Sequence, residues 1–205
     1  MKKTVRLLLL ILLLNNLLAL GAWEGLRQDA LVAPVAAQVL RFRVLANSDS
    51  PEDQALKLQV RDGLLDLLGQ ELADAASAKE AEAFVASHRK ELTRQAEKMV
   101  KEAGYSYPVS LTIGDFYFPE KTYGDLTFPR GTYRALKVEL GQARGQNWWC
   151  VLYPPLCFTD AVTAQIPPDS QQKLESVLPE EDYQVLDGTV EVRFALLDWL
   201  GSLFR

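Results

Sequence analysis

Four polar residues in VLANSDSPEDQALKLQVRD, namely Asn47, Asp49, Glu52 and Asp53, carry the oxygen-rich chemistry of a cation loop or of a general acid and base. A calcium loop needs oxygen ligands at alternate positions closed by a bidentate glutamate, and that spacing is missing. The same residues suit the start of a helix. Ser50 can cap it, Pro51 fits the first helical position, and Glu52 and Asp53 sit where the helix dipole favours negative charge. Capping is therefore preferred over catalysis.

Other chemistry is sparse. Two cysteines, Cys150 and Cys157, with a single histidine cannot supply four zinc ligands. Outside a reducing compartment a disulfide is the expected state of the two thiols, with two buried free thiols as the rival. His88 falls on or beside an apolar helical stripe, where a hydrogen-bonded ring is commoner than a base. Ser87-His88-Arg89-Lys90 fits the S-x-x-K pattern, but without the helix-start serine and the later elements that give it meaning. Carboxylate pairs such as Asp115 with Glu120, or Asp49 with Asp125, could meet as acid and base, although nothing in the spacing requires it. No metal or cofactor is expected.

Positioning these residues falls to a single α+β domain. The chain opens with Lys2, Lys3 and Arg6 ahead of an apolar run from Leu7 to Leu20, the pattern of an export leader. Residues 1–21 are read as a signal peptide or N-terminal anchor, 22–37 as a linker, and 38–205 as the domain. A small-residue exit lies at Ala19-Leu20-Gly21, with Val35-Ala36-Ala37 as a later alternative. Removing the three leader cations leaves 19 basic against 27 acidic residues, about −8, which disfavours nucleic acid and anionic lipid as partners.

Residues 39–46 alternate Leu40, Phe42, Val44 and Ala46 with Arg41 and Arg43, a strand pattern. Helical spacing follows from Ser50 and again from about Ala78 to Ala103, which Gly104 ends. Strands are expected near 108–114, 132–140, 148–153 and 190–194, with a short helix from Ser170 to Leu178, a polar turn at PEEDYQVLDG, and a final amphipathic helix through Leu196, Leu197, Leu200 and Leu203. Long helices early and strands late favour an antiparallel or mixed sheet with two long N-terminal helices on one face. Between the strands, Pro- and Gly-rich loops carry many aromatics, of which Tyr123, Phe128, Trp148 and Trp149 are the candidates for a partner-binding face.

Three stretches, LRFRVLANSDSPEDQALKLQVRD, FPEKTYGDLTFPRGTYRALKVELG and GQNWWCVLYPPLCF, resemble the stage II sporulation protein R family from about Leu40 to Phe158. The resemblance implies a signalling protein rather than an enzyme. It implies export from the forespore into the space between the septal membranes, and activation there of a membrane-embedded aspartic protease that processes a sigma-factor precursor. The membrane would be met only through an uncleaved leader. The competing expectation is an exported hydrolase that acts on cell-wall material through a carboxylate pair.

Overall fold

The alternating run at the front of the domain forms β1 (Leu40–Leu45), and both of its edges are paired. The computed structural model describes residues 2–157, 166 and 168–188. After β1 come α2 (Pro51–Asp74) and α3 (Ala78–Glu102), preceded by α1 (Lys2–Gln38). Next are β2 (Val109–Phe118), a small hairpin of β3 (Lys121–Tyr123) and β4 (Leu126–Phe128), then β5 (Gly131–Leu140) and β6 (Asn147–Tyr153). Two short helices follow, α4 (Pro168–Val177) and α5 (Glu180–Asp187).

The fold is α+β with a mixed sheet of order β2-β5-β1-β6. β1 runs parallel to β5 and antiparallel to β6, and β2 is antiparallel to β5. Because β5 and β6 flank β1, the 141–146 connection must cross the end of β1 that leads into α2. The first four expected strands are present. The expected strand at 190–194 and the final helix through Leu203 lie outside the described residues.

Three features differ from the sequence reading. Residues 22–37, expected as a linker, continue α1 without a break, and Val32 and Val35 at its end are buried. The two long helices therefore follow a still longer one. α1 packs on β5, where a Cβ added to Gly131 would stand 2.6 Å from Val32 Cγ1, so only glycine allows that approach. The PEEDYQVLDG stretch is helix α5 rather than a turn: Glu180, Glu181 and Asp182 complement its N-terminal dipole, Leu186 is buried, and Gly188 closes it at φ 74°.

The capping expectation holds in detail. The Ser50 hydroxyl accepts from the Asp53 N–H at 3.2 Å, and Ser77 does the same for the Glu80 N–H. Replacing Ser50 by Ala is expected to cost about 1 kcal/mol in urea unfolding, and a loss near zero would show the cap to be idle.

Candidate functional site

The polar knot after β1 is a junction. Asp53 accepts from Asn47 Nδ2 at 2.8 Å and Ser48 Oγ at 2.5 Å on one oxygen, and from the Tyr107 hydroxyl at 2.8 Å on the other. Burial alone would raise its pKa, but the hydrogen bonds from Ser48, Asn47 and Tyr107 outweigh this and hold the carboxyl below its ordinary value. Tyr107 is pushed up, by burial first and then by its bond to Asp53. The same knot receives the crossing connection: Gln142 N–H donates to Asn47 Oδ1, Arg144 N–H to Asn47 O, Gly145 N–H to Ala46 O, and Gln146 N–H to Asp49 Oδ1. A Cβ on Gly145 would overlap the Ser48 carbonyl. Every acceptor in the knot except Glu52 thus has a structural partner.

Among the other candidates for chemistry, Ser87 donates to the Phe84 carbonyl, and His88 Nδ1 lies 2.9 Å from the same oxygen with its ring against Phe84. Asp115 stands 3.6 Å from Arg134, which holds Glu82 more closely at 2.6 Å. Glu120 and Asp125 are exposed. Among the described residues, no group of three or more His, Cys, Asp and Glu could hold a metal ion.

The four aromatic candidates separate. Tyr123 and Phe128 do not face solvent: the β3–β4 hairpin folds its rings inward, leaving them 5% and 0% exposed. They help to enclose Arg41, a fully buried cation that sequence alternation places on a wet face. The guanidinium lies 4.6 Å from the Phe118 ring, 5.0 Å from Tyr133 and 5.4 Å from Phe128, and Arg41 Nε donates to the Cys150 carbonyl. Its two terminal nitrogens and the Tyr123 hydroxyl close no hydrogen bond among the described residues. Tyr123 nevertheless lies close enough to feel the cation. Burial pushes its phenol up, and Arg41 opposes the shift. Tyr133 is raised in the same way to about 12.

Trp148 and Trp149 are half-buried and point to opposite faces of edge strand β6. Trp148 packs edge-on against Phe42, under the Arg61 guanidinium of α2 at 4.6 Å. On the other face, Trp149 pairs with Arg43, which pairs in turn with Lys137, itself opposite Thr112. These four residues form one cross-strand row, with the Phe116 ring 4.9 Å from Lys137 Nζ. Glu139 holds Lys137 at 2.9 Å, and Asn147 Oδ1 accepts from Arg43 Nε at 3.1 Å. The row is partly open, mixes an indole with two cations, and suits contact with a partner. Reading Trp149 alone could not find it, because Arg43 and Lys137 are 94 positions apart in the chain (Arg43 to Lys137) and only the parallel β1–β5 register aligns them.

Cys150 and Cys157 are disulfide-bonded, with Cα atoms 5.2 Å apart, and Cys150, opposite Phe42, lies on the face of β6 away from this row. For so short a loop the bridge is expected to contribute about 2–3 kcal/mol on the chain-entropy estimate. Denatured, unreduced protein should show no reactive thiol, and Cys150→Ser with Cys157→Ser should unfold earlier in urea by that amount. Two labelled thiols per chain would refute the bridge.

What these residues build is an α+β domain that offers surfaces for contact, with its polar cluster committed to holding turns together. Comparison with known proteins gives the family. The sequence profile of stage II sporulation protein R matches residues 36–163. Stage II sporulation protein R of Bacillus subtilis (strain 168) is 36% identical over 224 aligned positions that take in the whole of both chains. The chain belongs to the stage II sporulation protein R family, and a role in sporulation goes with that membership. No solved structure matches it.

Proposed function

We propose that this chain is an exported sporulation signal that acts by contact, and that its receptor is a membrane-embedded aspartic protease on the mother-cell side of the septum. Receptor activation would lead to processing of a sigma-factor precursor. The observation that carries the reading is the full-length relationship to the Bacillus subtilis protein, which takes in the N-terminal residues as well. Two features support the finer steps. In α1, Leu10, Leu12, Leu13, Leu14, Leu17 and Leu18 are all exposed, as suits a segment that meets a translocon or a bilayer. The Trp149–Arg43–Lys137 row has the composition of an interface centre.

The test is complementation of an endospore-forming host that lacks its own relative. The chain should restore processing of the sigma-factor precursor. Trp149→Ala combined with Arg43→Glu should reduce processing on the order of tenfold or more, with exported protein at its usual level. Full processing by that variant would remove the row from the reading. Failure of the unaltered chain when fully exported would remove the reading itself.

A further inference from the structure

We propose that the cleft between α3 and the outer edge of β2 binds an extended acidic peptide segment of a protein partner. Arg89, Lys90, Thr93 and Arg94 of α3 face residues 109–111 across a cleft of about 460 Å³. Among the described residues β2 pairs only with β5, so its other edge offers main-chain donors and acceptors to an added strand. Ser110 and Thr112 on that strand are exposed and polar, while Val109 and Leu111 turn inward.

The charge on the helix is unusual for this chain, which carries 27 acidic residues against 22 basic ones. Arg89, Lys90 and Arg94 are exposed, and among the described residues none of them forms an ion pair. Lys90 and Arg94 are one turn apart, a like-charge spacing that weakens a helix unless an anion comes to it. Glu91 and Glu97 are exposed on the same helix but do not line the cleft.

The geometry selects an extended occupant. Early in α3, Glu82 reaches Arg134, which also meets Asp115 far along β2, whereas residues 89–94 lie beside 109–111. The helix therefore runs roughly antiparallel to the strand. Residues one turn apart on a helix are about 6 Å apart, close to the roughly 6.8 Å between alternate residues of a strand. A strand added to β2 would present alternate side chains to Lys90 and Arg94 in step. A helix could not use the main-chain edge, and a bilayer would want apolar side chains where Ser110 and Thr112 stand. The cleft lining shares no residue with the Trp149 row, which reaches β2 at Thr112, and the proposal does not depend on the sporulation reading.

The experiment uses the full chain in detergent micelles and a fluorescent, end-blocked octapeptide of alternating glutamate and valine, followed by anisotropy and by amide shifts at residues 109–111. Saturable binding is expected, and Arg89→Glu, Lys90→Glu and Arg94→Glu together should weaken it at least about tenfold. N-methylation of alternate peptide nitrogens should also weaken it, and a lysine-for-glutamate peptide should not bind. The milder Arg89→Gln, Lys90→Gln and Arg94→Gln variant serves if the reversed one fails to fold, with unfolding midpoints as the check. The proposal is overturned by absence of saturable binding, by binding that survives either loss of the cations or N-methylation, or by cation-dependent binding to phosphatidylglycerol vesicles or an oligonucleotide without binding of the peptide.

Discussion

Asp53→Ala is expected to lower the stability of the domain by about 2–4 kcal/mol, because three donors converge on that carboxylate and each loses its acceptor at once. Asn47, Ser48 and Tyr107 come from the β1–α2 turn and from the entry to β2, so the loss is shared by two junctions. Asn47 in turn holds Gln142 and Arg144 of the crossing connection, which should loosen with it. Asp53→Asn keeps one acceptor and should lose about half as much. The pH dependence has a definite sign. A carboxyl held below its ordinary pKa contributes in full above the unfolded value, near 4, and the contribution is lost as pH falls through the folded pKa. The gap between the unaltered chain and Asp53→Ala in urea unfolding should therefore be widest at neutral pH and narrow in acid. A gap below 1 kcal/mol at pH 7 would show the knot to be dispensable.

That knot was the most legible part of the sequence because its logic is local. Ser50, Pro51, Glu52 and Asp53 begin a helix for reasons contained within four residues, and the helix begins there. Long-range placement was less legible. Tyr123 and Phe128 sit among Pro and Gly residues in a stretch that reads as a long ordered loop or irregular hairpin, and nothing local says that the hairpin turns its rings onto the sheet. Once it does, Arg41 is covered by residues 77 to 92 positions away (Phe118 to Tyr133), although its neighbour Arg43 stays half-open on the same face. Two-residue alternation reports which residues share a face, but it cannot tell how far along the strand that face is covered. The insertion of β1 between β5 and β6 is equally remote in sequence, and it explains why the acidic turn meets residues 142–146 at all. The cysteine pair is legible from its spacing and from the leader-like N-terminal pattern, whereas residues 22–37 read as a linker but lie in α1, since their Ala-rich composition suits both a linker and a helix end.

Arg41 should respond far more to loss of volume than to loss of charge. Arg41→Ala is expected to cost about 3 kcal/mol, since it empties a cage of Phe118, Phe128 and Tyr133 that cannot collapse without moving the hairpin. Arg41→Met keeps most of the volume and removes the cation. It loses the ring contacts, each worth about 0.5–2 kcal/mol, and the bond to the Cys150 carbonyl. Against this, it relieves two buried terminal nitrogens that close no hydrogen bond among the described residues, and it relieves the burial that already depresses the Arg41 pKa. Replacing a buried charge by an apolar side chain of similar size is often neutral, so the Met variant should fall within about 1 kcal/mol of the unaltered chain. Urea unfolding followed by tryptophan fluorescence separates the two variants, because Trp148 and Trp149 lie on the strand paired with β1. If Arg41→Met is as unstable as Arg41→Ala, volume is not what Arg41 supplies. The charge itself would then hold the hairpin on the sheet, and an anionic partner for it would have to be sought.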